Sequence, residues 1–149
     1  MIYDELVDTE TVANHLADQC QQFTQYAGVR PYGVSLIIGG IDNDGKNQLF
    51  LTDPSGTYIS YDAVAIGSDS EKVTEFLEKN YKTDISLDDA SVLAGASIYL
   101  ASEDKEDVQQ IRMAQIKSDL KQFEIISEEK VADIAKLAKE KYPTEKSSE

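Results

Sequence analysis

Residues 33–66 have the sequence GVSLIIGGIDNDGKNQLFLTDPSGTYISYDAVAI, and this stretch decides the fold. Its first part, 33–41, is apolar at odd and even positions alike, which predicts a β-strand covered on both faces. Two turns follow, Asp42-Asn43-Asp44-Gly45 and Asp53-Pro54-Ser55-Gly56, each with the residue types that tight turns require. The sequence therefore predicts a meander of three strands over 33–41, 48–52 and 57–66.

The segment before the meander has the spacing of an amphipathic helix. Its apolar stripe repeats at steps of four, four and three and consists of Val12, Leu16, Cys20 and Phe23. Asp8 and Thr9 are suitable N-cap residues, and Gly28 suits a left-handed turn after the helix. We expect a helix over 8–26.

The C-terminal half alternates helices with a second hairpin. Ser68 and Glu71 have the spacing of a capping box before a helix over 70–81, and Ser86 with Asp89 opens the next helix, 87–101. Gly95 in the middle of that helix predicts a close approach of another segment. A hairpin over 108–117 and 120–126 precedes a last helix, which Ser127 caps. Its predicted apolar stripe is Val131, Ile134, Ala135, Leu137 and Ala138.

Composition excludes several classes of function. The chain has 149 residues, 28 of them acidic and 14 basic, with a formal net charge of −14. We expect one domain over 1–142 and a flexible tail over 143–149. So acidic a surface disfavours nucleic acid, and no apolar run is long enough for a membrane span. With a single cysteine and an acidic start unlike a signal peptide, the sequence predicts a cytoplasmic protein.

Individual residues give little support to catalysis or metal binding. His15 is the only histidine and lies beside the apolar stripe, whereas Cys20 lies on it and is expected to be structural. The turn at 42–45 is similar to the start of a calcium-binding loop, but the twelfth position, which needs a bidentate glutamate, is occupied by Asp53. Gly56-Thr57 could be a self-cleaving site, but it falls in a turn between paired strands. We expect no catalytic residue, no metal and no cofactor.

Four short motifs occur in order between residues 18 and 68. They are Thr24-Gln25-Tyr26, Gly28-Val29-Arg30-Pro31-Tyr32-Gly33-Val34-Ser35, Thr52-Asp53-Pro54-Ser55-Gly56 and Ala65-Ile66-Gly67-Ser68. In order and spacing they resemble the α-type subunits of the archaeal and eukaryotic 20S proteasome and not the catalytic β-type. The order of helices and strands from residue 8 to about residue 141 is also similar to the second part of that fold.

The resemblance implies an α+β fold, part of the four-layer αββα sandwich of N-terminal-nucleophile hydrolases. The helix at 8–26 would cover one outer face of two sheets, and the helices at 70–81 and 87–101 the other. The implied function is that of a non-catalytic ring subunit, which serves assembly of the core particle and gating of intracellular protein degradation. Its partners would be other α and β subunits.

The motifs imply structural roles for eight residues, none of them catalytic. These are Gly28, Arg30, Pro31, Gly33, Asp53, Pro54, Gly56 and Gly67. Arg30 is expected to hydrogen-bond carbonyl groups or to form an ion pair with Asp53, which would fix the junction of helix and sheet; the alternative is that its side chain is simply solvated.

The chain departs from the family pattern mainly in length. Because α-type subunits are longer, we expect it to lack the N-terminal gate, the first helix, the first strands and the long helix that meets the neighbouring ring. The lysine-lined pocket for activating ATPases would then also be absent. A chain without those strands would expose sheet edges, and we expect it to associate with copies of itself. Gly67-Ser68-Asp69, where the family often has Gly-Ser-Gly, is expected to alter only the entry to a helix.

Two other functions are compatible with the same fold. A β-type threonine peptidase or a free amidohydrolase needs a terminal threonine, serine or cysteine, and this chain begins Met1-Ile2-Tyr3. A stand-alone binding or chaperone-like domain needs no such residue.

Overall fold

The structure is a computed structural model that describes residues 7–26, 28, 30, 32–101 and 111–143. The chain divides into two compact units, Met1–Val64 and Ala65–Glu149. The single domain over 1–142 and the tail over 143–149 stay predictions, and most of that tail lies outside the described residues. No helix in the described ranges combines the length and the apolar character that a bilayer span requires.

The first unit contains helix α1 (Thr9–Gln25) and strands β1 (Leu36–Ile41), β2 (Asn47–Thr52) and β3 (Tyr58–Ser60). The strands are antiparallel in the order β1-β2-β3, which confirms the meander. β3 is shorter than predicted because the backbone bends at Asp62 and Ala63. The Tyr61 N–H still donates to the Leu49 carbonyl at 2.9 Å, just beyond the strand.

Both predicted turns are present. The Gly45 N–H donates to the Asp42 carbonyl at 2.9 Å, and the Gly56 N–H donates to the Asp53 carbonyl at 3.0 Å. Each of these glycines has a positive φ, +84° and +94° respectively. Such angles are strained in residues that carry a Cβ, so the two glycines are what allow the strands to reverse so tightly.

Helix α1 packs on the sheet through a stripe that overlaps the predicted one only in part. Its buried residues are Thr9, Ala13, Ala17 and Cys20, whereas Val12 is 39% exposed. Small residues bring the helix backbone close to the strands, and Gly40 completes the fit because a Cβ there would overlap the Thr9 hydroxyl. Cys20 belongs to both sets, and Leu16 and Phe23 are half-buried. The predicted stripe is therefore wrong at Val12, because it weighed hydrophobicity and ignored how closely the helix approaches the sheet.

The prediction that strand 33–41 is covered on both faces is also wrong for the described structure. On the face toward α1, Phe50 and Thr52 of β2 are buried. On the opposite face, Ile37 is 44% exposed and Ile59 is 55% exposed. Since α1 covers one side of the sheet, the other side remains accessible.

The second unit contains α2 (Ser70–Asn80), α3 (Leu87–Ala101), β4 (Ala114–Lys117), β5 (Gln122–Ile125) and α4 (Glu128–Lys141). β4 and β5 form the predicted hairpin, although residues 108–110 lie outside the described ranges. Helix α3 packs against both α2 and α4. The core between these helices consists of Val92, Ala96 and Ala138, with Phe76, Ile134 and Tyr142 packed against it.

Gly95 lies where α4 crosses α3. A Cβ on Gly95 would lie 3.3 Å from Ile134 Cγ2 and 3.8 Å from Ala138 Cβ. The predicted close approach at this glycine is thereby confirmed. Leu137, which was predicted in the α4 stripe, is instead 52% exposed, because it points away from the face that Ala135 and Ala138 bury.

Of the four predicted helix caps, those at Ser86 and Ser127 are present. The Ser86 hydroxyl accepts from the Asp89 N–H at 3.1 Å, and the Ser127 hydroxyl accepts from the Lys130 N–H at 3.5 Å. The capping box at Ser68 is wrong. Gly67 has φ +123° and its carbonyl accepts from the Ser70 N–H at 3.3 Å, so Ser68 lies within a turn. The N-cap position of α2 is therefore occupied by Asp69 and not by Ser68.

Candidate functional site

Most of the motif residues lie at one end of the first unit, which we call the motif end. Gly28, Arg30 and Gly33 are in the connection from α1 to β1, and the β2–β3 turn contains Asp53, Pro54 and Gly56 of the third motif. Leu36 pairs with Thr52, so the start of β1 lies beside that turn. Of the other motif residues, Gly67 belongs to the second unit, and Pro31 lies outside the described residues.

The β2–β3 turn fits tightly against α1 at Gly56. A Cβ on this residue would lie 2.5 Å from Gln21 Cβ and 2.9 Å from the Ala17 carbonyl oxygen. Together with the positive φ of Gly56, this leaves no room for any other residue without a shift of the helix. Gly56 is therefore the residue that joins the turn to the helix.

Asp53 is bound within its own turn. Its carboxylate accepts hydrogen bonds from the Ser55 hydroxyl and from the Ser55 N–H, the latter at 2.6 Å. These bonds lower the pKa of the Asp53 carboxyl below its usual value, because they stabilise the ionised form. Among the described residues no ion pair joins Arg30 to Asp53, and the Arg30 side chain is exposed, so the predicted pair is wrong. The Asp53 carboxylate is instead stabilised within the turn by its two hydrogen bonds from Ser55.

Phe23 near the end of α1 and Tyr32 in the connection to β1 stack edge to face, with ring centroids 4.6 Å apart. This contact ties the end of α1 to the residues that enter the sheet. Gly28 has φ +91°, as predicted for a left-handed position, although α1 already ends at Gln25. The motif end is thus a defined surface built from a helix end, a loop and a turn.

The opposite end of α1 is held by a contact that the sequence analysis missed. Asp42 Oδ1 accepts from the Thr9 N–H at 2.9 Å and from the Thr9 hydroxyl at 2.7 Å. Both bonds lower the pKa of Asp42, the N–H more than the hydroxyl. Asp8 occupies the N-cap position, but its side chain accepts only the Thr11 hydroxyl at 3.0 Å and caps no backbone group. Asp42 performs the capping from the β1–β2 turn.

The residues considered for calcium binding or catalysis are bound by neighbouring protein groups, exposed to solvent or buried. The Asp44 carboxylate pairs with Lys46 at 2.8 Å, which lowers its pKa, so both carboxylates of the calcium-like turn are engaged by the protein. His15 is exposed and its Nε2 lies 3.3 Å from Gln19 Nε2, whereas Cys20 is buried. Within the described ranges no three His, Cys, Asp or Glu side chains are grouped so that they could hold a metal ion.

A second feature of the first unit is the sheet face that α1 leaves uncovered, which we call the open face. By the strand register it consists of Ile37, Gly39, Ile41, Asn47, Leu49, Leu51 and Ile59. Leu49 and Leu51 are half-buried, and no charged residue occupies this face in the described strands. A contiguous apolar surface of this kind is typical of contacts with other protein segments. The open face therefore favours a role in packing against other protein segments over a role in catalysis.

The chain is similar to known proteins of one family. The sequence model of the family described as "Proteasome subunit" matches residues 1–116. The chain is 40% identical over 130 residues to "Proteasome subunit alpha" of Methanoregula boonei, which covers 87% of this chain and 54% of that protein. It is 40% identical over 141 residues to the protein of the same name from Archaeoglobus fulgidus, covering 95% and 56%.

A third relative, "Proteasome subunit alpha" of Pyrobaculum aerophilum, is 41% identical over 133 residues, covering 89% of this chain and 54% of that protein. The chain thus spans about half the length of the curated relatives it matches. The resemblance of the motifs to α-type subunits is confirmed by these matches. With the family model matched over residues 1–116 and relatives aligned along nearly all of its length, this chain belongs to the proteasome subunit family.

Proposed function

We propose that this chain is a non-catalytic structural subunit, or a part of one, of the 20S proteasome core particle. The observation that carries the proposal is the 40% identity to proteins named "Proteasome subunit alpha" over 87% and 95% of the chain. The motif end supports it, because the matched residues build a turn, a loop and a helix end and not a nucleophile with a base. In this role the chain contributes to assembly and to the gating of intracellular protein degradation.

The fold that goes with this function is the αββα sandwich. Family membership gives the N-terminal-nucleophile type of fold, and the described residues form a mixture of four helices and two antiparallel sheets. The open face supports the finer proposal, since Ile37 and Ile59 are exposed apolar residues on a sheet whose other side is covered by α1. A second sheet packed on the open face would complete the two central layers of the sandwich.

The proposed partners are other proteasome α and β subunits, together with further copies of this chain. The open face again supports the proposal, because it offers an uncharged contact surface on a chain with a net charge of −14. We propose the cytoplasm as the compartment, in keeping with the single buried free thiol at Cys20.

The alternatives are a β-type threonine peptidase and a stand-alone binding domain of the same fold. The relatives carry the name alpha, which does not favour the peptidase. A fluorogenic peptide assay on the purified chain distinguishes a peptidase from a non-catalytic subunit. We expect no turnover, whereas hydrolysis that an N-terminal-threonine trap abolishes would overturn the non-catalytic assignment.

Co-expression tests the assembly role directly. The tagged chain is produced together with the Archaeoglobus fulgidus protein named "Proteasome subunit alpha", and material bound to the tag is analysed by size-exclusion chromatography with light scattering. We expect a mixed complex larger than either chain. An open-face variant, Ile59→Asp, should lose the complex, while Asn14→Asp on the exposed side of α1 should keep it.

The two variants add the same charge, so a difference between them reports the location of the contact. Circular dichroism melting of both variants verifies that each is folded. If the folded wild-type chain never co-purifies with the α subunit, the stand-alone binding domain becomes the better assignment. If Asn14→Asp and Ile59→Asp behave alike, the open face is not the contact surface.

A further inference from the structure

We draw no further inference here: the strongest candidate, the open apolar face of the β1–β3 sheet that carries Ile37, Leu49, Leu51 and Ile59, carries none because nothing in the structure shows what covers it.

Discussion

Asp42 caps helix α1 from a turn that lies 33 residues away from Thr9 in the sequence. One carboxylate oxygen accepts both the N–H and the hydroxyl of Thr9, at 2.9 Å and 2.7 Å. The first N–H groups of a helix have no partner within the helix, so a side-chain acceptor at this position stabilises it. Because the acceptor comes from the β1–β2 turn, the same contact also holds the helix on the sheet.

We expect Asp42→Ala to destabilise the chain clearly more than Asp44→Ala. The first variant removes the acceptor of two part-buried bonds that join a helix N-terminus to the sheet. The second removes an ion pair with Lys46 and a hydrogen bond from the Lys46 N–H, both local and exposed, which contribute less in water. Urea denaturation followed by circular dichroism measures both free energies of unfolding. Equal losses in the two variants would mean that the contact between Asp42 and Thr9 does not anchor α1.

The contact between Asp42 and Thr9 also predicts a dependence on pH. The pKa of Asp42 is lowered in the folded chain, so its stabilisation is present above the unfolded pKa of about 3.9 and is lost as the pH falls through the lower folded value. We expect the unfolding free energy of the wild type to fall below about pH 4 more steeply than that of Asp42→Asn. Protonation of other carboxylates relieves the negative net charge in both proteins, so the difference between their pH profiles isolates Asp42. Parallel profiles would contradict the assignment.

Gly56 and Gly28 form a matched pair for testing how the motif end is built. Both have a positive φ, +94° and +91°, but a Cβ at Gly56 would collide with α1 while one at Gly28 would meet nothing within 4 Å. Gly28→Ala should therefore cost only the backbone strain, about 1 kcal/mol. Gly56→Ala should cost that strain and a further 1–3 kcal/mol or so of overpacking. Thermal and urea unfolding of the two variants provide the comparison, and similar costs would mean that the turn does not press on the helix.

Gly95 allows an equivalent test in the second unit. A leucine at this position would occupy the space that Ile134 fills, so Gly95→Leu should lower the unfolding free energy by about 1–3 kcal/mol. Ala94→Leu on the exposed side of the same helix is the control, with a change within about 0.5 kcal/mol. Adding Ile134→Ala to Gly95→Leu should recover part of the loss, because it opens the space again. If the double variant is simply the sum of the two single losses, the crossing of α3 and α4 is not where the leucine acts.

Local signals in the sequence were enough to predict most of the elements. Turns with glycine at the position of positive φ, such as Gly45 and Gly56, and helix caps such as Ser86 depend on neighbouring residues and were predicted well. Contacts between a helix and a sheet could not be predicted from such local signals. The stripe of α1 was predicted only in part: Cys20 is buried as expected, but small residues provide most of the buried face and Val12 lies outside it.

The candidate site shows the same division between local and distant contacts. The turn that contains Asp53 was predicted, but its pairing with Arg30 was not realised, because Ser55 already satisfies the carboxylate two residues along the chain. Conversely, nothing within a few residues of Asp42 indicates that it binds Thr9. An aspartate in a hairpin turn has an ordinary local role, and its second role exists only once the helix is packed on the sheet.

The open face leads to a final prediction about association in solution. Ile37 and Ile59 are 44% and 55% exposed, and burial of apolar surface contributes roughly 25 cal/mol per Å². We expect the purified chain to exceed the mass of a monomer in light scattering at micromolar concentration. An aspartate at position 59 would have to be buried without a partner in any complex formed through this face, so Ile59→Asp should shift the mass towards the monomer. Asn14→Asp raises the net negative charge equally but lies on the exposed side of α1 and should leave the mass unchanged. A monomeric wild type across this concentration range would rule out self-association, and an oligomer that tolerates Ile59→Asp would place the contact on another surface.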